Sequence, residues 1–338
     1  MNFIKKIYDK VFPKWKMTTY DKITYCNWWD YDNADDEWFT QFIRINFPQY
    51  AKYNISFCSV FGDIRKIEKI SNKKIFYTGE VISDYVRYSD LHINEEGNVY
   101  KLHKSWMLKY GHDWQDTCNL SMGFSDLKKD KYIRFPIWIW RCFLPIVDFK
   151  YIKRVVDRIN TYNQACLPQR ECILVASHDD FGTRAHIYDR LKNTLDITSA
   201  GKWRHNSDEL WHKYPFRDKL GKDKIDYMKD FKFNICPENM DVPKYVTEKI
   251  FDAFQAGTIP IYHGALNDPE PEIINREAVI LWNYDDDNKR AINLIQELNR
   301  NTKQLEEFLH IPRLTEQAAE CIYCKMCDLK KHIERLLE

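Results

Sequence analysis

The second half of the chain alternates short apolar runs with amphipathic helical segments, and this alternation limits the possible folds more than any other feature. The run "CILVAS" (172–177) precedes the helical segment "RAHIYDRLKNTL" (184–195). The runs "FKFNIC" (231–236) and "TIPIYHG" (258–264) flank a helical segment over 243–256. Short buried strands that alternate with helices of this length form a parallel sheet covered on both faces. The pattern therefore predicts an α/β fold.

The length of the chain and its breaker residues predict two domains and a terminal helix. A chain of 338 residues exceeds the usual size of one domain. The first half mixes β-like runs, such as "KKIFYTGE" (73–80) and "YIRFPIWIW" (132–140), with aromatic-rich loops. A helical segment and the breaker "LPQRE" follow. We predict an N-terminal domain over 1–160, a second domain over 161–312 and a C-terminal helix over 313–338.

The charge balance and the apolar segments exclude two broad classes of protein. Lys and Arg number 51 against 50 Asp and Glu, so the basic excess of a general nucleic-acid binder is absent. The longest apolar stretch, "FPIWIWRCFLPIV" (135–147), is too short to span a bilayer. Residues 1–17 lack the apolar centre of a signal peptide, but their helical spacing suits either a docked first helix or peripheral contact with an anionic membrane surface. We expect a cytoplasmic protein with no nucleic-acid partner.

The ten cysteines are expected to be reduced thiols, because no secretion signal accompanies them. Three of them, Cys321, Cys324 and Cys327, cluster within one predicted helix. Structural zinc usually takes cysteine pairs from a turn and a second pair from elsewhere. Burial of these thiols in the core is therefore the favoured interpretation over a zinc site.

A polar stripe runs along the helical segment that follows "FKFNIC". At 100° per residue one arc of the segment carries Tyr245, Glu248, Lys249 and Asp252. The stripe is explained either by a solvated surface or by a ligand site. A ligand site is the alternative because the first turns of this helix follow the carboxyl end of a strand, where open α/β sheets bind ligands.

The residue types in this stripe suit a nucleotide. Helix N-termini favour anions, and Lys249 in the first turns can hold a phosphate. Glu248 can accept the two hydroxyls of a ribose, and Asn239 offers a donor and an acceptor at the strand end. The sequence thus indicates a nucleotide site that has no glycine-rich loop.

Three motifs of this region resemble the signature of the α-1,3/4-fucosyltransferases, glycosyltransferase family ten. They are "PEN" (237–239), "YVTEK" (245–249) and "GTIPIYHG" (257–264), in the order and spacing of that family, although Pro237 stands where phenylalanine is usual. "KKIFYTGE" (73–80) is similar to a segment of the acceptor-binding domain of the family. "VASHDDFGTRAHIYDRL" (175–191) is similar to a segment of its donor-binding domain, with His178 in place of the usual asparagine.

The resemblance implies a GT-B architecture, with two Rossmann-like domains that face each other across a cleft. The C-terminal domain would bind GDP-fucose, with Glu248 on the ribose and with Lys249 and Arg184 on the pyrophosphate. The donor pocket would be completed by Asn239, Tyr245 and Val246. Glu80 falls at the position of the general base, and transfer to an N-acetyllactosamine-like glycan would invert the anomeric centre. The resemblance implies no required metal or cofactor.

Other interpretations of the sequence remain open at this stage. A single-domain GT-A glycosyltransferase would bind a divalent metal through Asp285 and Asp287, although an aspartate before "NKRAINLI" is also a common helix cap. A GT-B enzyme with another nucleotide sugar and a carbohydrate-binding module are further alternatives. Asp84 and Asp90 could replace Glu80 as the base. The residues that could stack on sugars, or simply lie in the core, are Trp28, Trp38, Trp106 and Trp114.

Overall fold

The computed structural model describes residues 23–29, 34–48, 54–62, 64–81, 117–162, 166–216, 218 and 221–338. Within these ranges ten strands form two five-stranded sheets, and every pair of neighbouring strands is parallel. The prediction of an α/β fold is confirmed. Several residues singled out from the sequence lie outside the described ranges, namely residues 1–17, Asp84, Asp90, Trp106 and Trp114.

The first sheet has the order β1-β2-β3-β4-β5. Its strands are Ile23–Cys26, Ile55–Cys58, Lys73–Tyr77, Leu120–Gly123 and Tyr132–Arg134. The helices of this half are α1 (Trp38–Asn46), α2 (Ile64–Glu68) and α3 (Ile137–Cys142), with a 3₁₀ turn at Ala34–Asp36. The single β-like run predicted over 132–140 is wrong in its second half. Pro136 occupies the N-cap of α3, because proline ends the strand ladder but fits a helix start.

The second sheet has the order β10-β9-β8-β6-β7. Its strands β6 to β10 are Arg170–Leu174, Ile197–Ser199, Phe231–Ile235, Ile259–Tyr262 and Ile280–Leu281. Its helices are α5 (Thr183–Leu191), α6 (Glu209–Lys213), α7 (Lys222–Met228), α8 (Glu248–Ala256), α9 (Lys289–Arg300) and α10 (Thr302–Leu309), with 3₁₀ turns at Ala265–Asn267 and Arg276–Ala278. The strand order reverses between β6 and β8. Ligands of doubly wound sheets bind outside the carboxyl ends of the strands at such a reversal.

The last helix of the chain returns to the first sheet. Helix α11 (Ala318–Leu337) packs along α4 (Phe149–Asn160) and contacts β4 and β5. Its buried face consists of apolar residues at helical spacing: Ile322, Met326, Leu329, Ile333 and Leu337. None of the helices within the described ranges has the length and apolar character of a membrane-crossing helix.

The three clustered cysteines do not share that buried face. Cys324 is exposed, whereas Cys321 and Cys327 are half-buried. The prediction that these thiols are buried in the core is therefore wrong, because the larger apolar side chains of the helix fill the interface instead. All ten cysteines of the chain are free thiols.

A buried ion pair joins the end of the first sheet to the segment between β9 and β10. The guanidinium of Arg134, at the end of β5, donates to both carboxylate oxygens of Glu270 at 2.6 and 3.0 Å. It also donates to the carbonyl of Lys244 at 3.1 Å, just before the predicted donor motif. Trp138 of α3 donates to Glu270 and stacks on Phe251 of α8 at 4.5 Å. These contacts hold the loop before α8 against the first domain.

Candidate functional site

A cleft opens at the reversal of strand order in the second sheet. It is lined by the carboxyl ends of β6 and β8. Three cationic side chains face it: Arg184 from the start of α5, Lys224 from α7 and Lys249 from α8. A cleft with this concentration of positive charge suits a polyanionic ligand.

Glu238 holds the turn that precedes α8. Its carboxylate is buried and accepts hydrogen bonds from the backbone N–H and the hydroxyl of Thr247, both at 2.7 Å. Lys249 Nζ lies 3.1 Å from the same carboxylate and 3.0 Å from the Thr247 hydroxyl. A buried carboxylate is tolerated only when it is paired in this way. Glu238 therefore positions both the helix start and the amine of Lys249.

Glu248 and Lys249 both remain charged. Burial alone would lower the pKa of Lys249, but the carboxylates of Glu238 and Glu248 outweigh it and raise this pKa. Burial would raise the pKa of Glu248, but the charges of Lys249, Arg141 and Lys224 outweigh it and lower this pKa to about 2. Glu248 is therefore ionised at neutral pH.

Arg184 and Asn239 meet across the strand reversal. Arg184 is buried and donates to Asn239 Oδ1 and to the His178 carbonyl, both at 2.8 Å. Asp179 accepts hydrogen bonds from the backbone N–H groups of Arg184 and Ala185, which fixes the start of α5. Burial lowers the pKa of Arg184 from that of a free guanidinium, which stays charged at neutral pH.

Tyr245 and Val246 precede helix α8, which begins at Glu248. The predicted helix over 243–256 is therefore wrong at its start, where Lys244 has a positive φ of 63°. The ring of Tyr245 packs on Phe124 of the first domain, with the ring centroids 4.9 Å apart. Burial raises the pKa of Tyr245, and the nearby Glu80 and Glu238 carboxylates raise it further. Tyr245 is thus a neutral phenol at the boundary of the two domains.

The solvated-surface explanation of the polar stripe is wrong for two of its four residues. Tyr245 and Asp252 are each only 2% exposed. Asp252 is paired with Lys224 of α7 at 2.5 Å, and burial raises its pKa. Sequence reasoning missed Lys224 because it lies in the charged segment "GKDKIDYMKD", where no local signal separates it from surface lysines.

Glu80 faces the donor loop from the first domain. It follows β3, is half-buried, and its backbone N–H donates to the Thr78 hydroxyl at 3.0 Å. The adjacent Val81 packs in one apolar cluster with Phe124 and Tyr245. Gly79 allows close packing on α3, since a Cβ there would lie 2.6 Å from Ile137 Cδ1. The structure thus brings Glu80 near Tyr245 of the predicted donor motif.

Comparison with known proteins assigns the family. The model of the C-terminal domain of glycosyltransferase family 10 (fucosyltransferase) matches residues 168–336, which is half of the chain. The chain belongs to glycosyltransferase family 10. Its sequence is 26% identical over 287 residues to the α-(1,3)-fucosyltransferase FucT of Helicobacter pylori. That match covers 72% of this chain and 50% of the relative, so the chain spans about half the length of that protein.

Solved structures of similar fold span nearly the whole family 10 chain. A crystal structure of an α1,3-fucosyltransferase with GDP-fucose matches with a TM-score of 0.55 at 18% identity, covering 98% of this chain and 95% of that one. A second α1,3-fucosyltransferase structure matches with a TM-score of 0.57 at 20% identity, covering 96% and 93%. The predicted GT-B architecture of two facing Rossmann-like domains is confirmed by this shared fold. The single-domain GT-A alternative is wrong.

The aspartates of that alternative have a structural role in this family 10 protein. The carboxylate of Asp287 accepts the backbone N–H of Lys289 at 3.0 Å, at the start of α9, and pairs with its amine at 2.6 Å. Asp285 is exposed. Across the ranges that the structure describes, no three carboxylate, histidine or cysteine side chains gather as a metal site requires.

Gly264, in the last of the family 10 motifs, is required by the packing of Glu238. Its φ is +147°, and a Cβ there would lie 2.7 Å from Glu238 Cγ and 2.9 Å from Glu238 Cβ. Gly264→Ala is expected to destabilise the fold by about 1–3 kcal/mol, since Glu238 must shift. Urea unfolding measures this loss. Gly257→Asn is the matched control, because it keeps a left-handed backbone at the end of α8, and an equal loss in both variants would contradict the packing argument.

Proposed function

We propose that this chain transfers L-fucose from GDP-fucose to a hydroxyl of a glycan acceptor, with inversion at the anomeric carbon. One observation carries the proposal: three cations line a single cleft beside the ionised Glu248, and Glu80 of the first domain lies near Tyr245 of the same motif. The fucosyltransferase relatives and the fold neighbour with GDP-fucose support this choice of donor.

The cations are suited to stabilise the leaving diphosphate. Lys249 has three N–H donors, of which two contact Glu238 and Thr247, so a third is available for a phosphate oxygen. The planar fork of Arg184 matches phosphate geometry. Each donor fixed at a site of developing charge typically contributes about 2.7–4 kcal/mol to barrier reduction. These side chains can serve the diphosphate without a divalent metal, which would at most stimulate transfer.

The remaining groups have complementary roles in the proposed reaction. Glu248 accepts the two ribose hydroxyls of the nucleotide, while Asn239, Tyr245 and Val246 complete the donor pocket. Glu80 removes the proton of the acceptor hydroxyl as it attacks the face opposite the diphosphate. A single carboxylate base of this kind is consistent with an inverting transfer. The acceptor class we propose is an N-acetyllactosamine-like glycan, and another GDP-sugar is the alternative donor.

The proposed cellular setting is the cytoplasm, with peripheral membrane contact through residues 1–17. The ten free thiols support this setting, since reducing compartments keep cysteines unpaired.

A thermal-shift series tests the donor site. GDP and GDP-fucose are expected to raise the melting temperature in the presence of EDTA, since a ligand at a hundred times its dissociation constant stabilises the native state by about 2.7 kcal/mol. Glu248→Gln is expected to reduce this shift, because the neutral amide is a weaker acceptor for ribose hydroxyls.

Lys289→Met is the control, because Lys289 is exposed at the start of α9 and pairs with the exposed Asp287. It should leave the shift unchanged. A shift with UDP and Mn²⁺ alone would overturn the proposal, as would a GDP shift that is identical in Glu248→Gln and the wild type.

A further inference from the structure

Four aromatic rings gather at the carboxyl edge of the first sheet. They are Trp29 after β1, Phe61 after β2, Tyr77 at the end of β3 and Trp140 in α3. The ring of Trp29 lies 4.9 Å from Phe61, 5.8 Å from Tyr77 and 6.4 Å from Trp140, measured between centroids. Tyr77 is fully buried, but Trp29, Phe61 and Trp140 are only half-buried. These four rings form the aromatic cluster.

Tyr77 of the aromatic cluster lies near both the proposed base and the proposed ribose ligand. Tyr77 precedes Glu80 by three residues and accepts a hydrogen bond from Trp140 Nε1 at 2.8 Å. Burial raises the pKa of Tyr77, and the charges of Glu248 and Glu80 raise it further. Both carboxylates therefore lie within electrostatic reach of the same phenol.

The backbone around the cluster is built to bring the first two rings together. Asn27, two residues before Trp29, has a positive φ of 52°. Its carbonyl accepts the backbone N–H of Phe61 at 2.9 Å. A Cβ at Gly62 would lie 2.2 Å from Asn27 Oδ1, so only glycine allows this close approach of the two loops.

Two neighbouring tryptophans, both sugar-stacking candidates in the sequence, have their indole N–H groups bound within the first domain. Trp38 stacks on Phe42 at 5.2 Å and donates its indole N–H to the Phe143 carbonyl at 2.7 Å. Trp28 donates to Glu37 at 3.2 Å and packs edge-on against Phe39. Its ring also lies 5.1 Å from Trp29 and 5.9 Å from Tyr77, so Trp28 supports the aromatic cluster from the side of α1.

We propose that Trp29, Phe61 and Trp140 form the acceptor-sugar subsite, and this inference rests on the proposed function. A hexopyranose presents a flat face of C–H groups, which complements the electron-rich face of an indole ring. Ligand sites combine such apolar walls with a few polar groups that fix orientation. Tyr77, which contacts Trp29 and Trp140, precedes the proposed base Glu80 by three residues, so a pyranose on these rings would lie near that carboxylate. The class of ligand is a hexopyranose-containing oligosaccharide.

Steady-state kinetics of Trp29→Leu with GDP-fucose and N-acetyllactosamine tests the subsite. The KM for the acceptor is expected to rise about tenfold, the effect of losing one ring contact of about 1.4 kcal/mol. The KM for GDP-fucose should change by less than about twofold, because Trp29 belongs to the first domain and the proposed donor site to the second. Trp29→Phe should recover most of the acceptor affinity, because a ring is restored.

Trp211→Leu is the matched control. Trp211 is half-buried on α6. Glu209 of the same helix pairs with Arg170 at the start of β6, so α6 lies near the amino ends of the strands of the second sheet, away from the aromatic cluster. Its acceptor KM should equal that of the wild type. Equal rises of both KM values in Trp29→Leu would indicate a structural role and overturn the subsite.

The outcomes separate the subsite from the proposed function. If GDP stabilises the wild type and transfer occurs, but Trp29→Leu and Trp140→Leu keep the wild-type acceptor KM, the subsite is wrong and the function stands. If GDP stabilises the wild type but no hexopyranose glycan from a screening panel accepts fucose, the subsite is overturned and only the donor site stands. If GDP does not bind, the proposed function fails.

Discussion

Glu80→Gln is expected to lower kcat for transfer about 10²–10⁴-fold, the usual contribution of a general base. Glutamine keeps the shape of the side chain beside Gly79 and Val81 but cannot take the acceptor proton. Binding of GDP should be unchanged, since Glu80 belongs to the first domain and the cations of the cleft belong to the second. Kinetics with GDP-fucose and an accepted glycan, together with the thermal shift with GDP, measure the two effects separately.

Glu68→Gln provides the control for this prediction. It makes the same chemical change in the same domain, at an exposed position at the end of α2. It should retain the wild-type kcat. A Glu80→Gln variant with more than about a tenth of the wild-type kcat would place the base elsewhere, because a loss that small is below the general-base range. Asp84 and Asp90 would then be the next residues to replace.

The proximity of the proposed donor residues was predictable because sequence order determines where their loops emerge. Loops that follow parallel strands emerge at the same edge of a sheet, so "HDDFGT" after β6 and "PEN" after β8 must approach each other. The observed hydrogen bond between Arg184 and Asn239 is the result. Strands β8 and β9 lie within their apolar runs, because they are covered on both faces, whereas β6 begins two residues before the run "CILVAS" and ends at Leu174.

The features that were missed depend on contacts between distant segments. Lys224 enters the cleft only because α7 packs against α8, where Asp252 pairs with it. Periodicity placed Tyr245 on the helix, but a left-handed residue at Lys244 and the hydrogen bonds of Glu238 start the helix at Glu248. Propensity does not encode such tertiary effects.

The cysteines and tryptophans illustrate the same limit in the first domain. The spacing of Cys321, Cys324 and Cys327 favours one helix face, but the face that packs on α4 is selected by larger apolar residues. Trp28 and Trp29 are adjacent in sequence, and both rings lie beside Tyr77, but only Trp29 also lies beside Trp140. Composition identifies aromatic-rich loops without indicating which rings meet.

Arg134→Met is expected to lower the free energy of unfolding by about 3–5 kcal/mol, the cost of leaving a buried charge unpaired. Glu270 is only 5% exposed and receives two hydrogen bonds from Arg134. Lys153→Met is the control, because its pair with Asp157 is exposed and should contribute less than about 1 kcal/mol. Urea unfolding of both variants measures the difference, and equal losses would contradict the prediction.

The pH dependence of that loss identifies its cause. In the wild type, burial would raise the pKa of Glu270, but Arg134 outweighs it and the pKa is lowered. A lowered pKa contributes stability that is present above the unfolded-state value of about 4.3 and is lost as the pH falls through the folded-state value. Without Arg134 only the Trp138 hydrogen bond and the charge of Lys325 oppose burial, the largest influence on this pKa, so we expect Glu270 to take up a proton on folding. The deficit of Arg134→Met should therefore shrink as the pH falls from 7 toward 5, and a deficit that does not change with pH would exclude the carboxylate as its source.

Arg134→Met/Glu270→Leu separates the stability of the ion pair from its effect on the site. An apolar pair of similar volume often restores or exceeds the stability of a buried ion pair, so the double variant should unfold near the wild-type urea midpoint. It still lacks the guanidinium that binds the Lys244 carbonyl, next to Tyr245 and three residues before Thr247. We therefore expect GDP to bind more weakly to a protein of normal stability. Wild-type GDP affinity in the double variant would show that Arg134 joins the domains without ordering the donor loop.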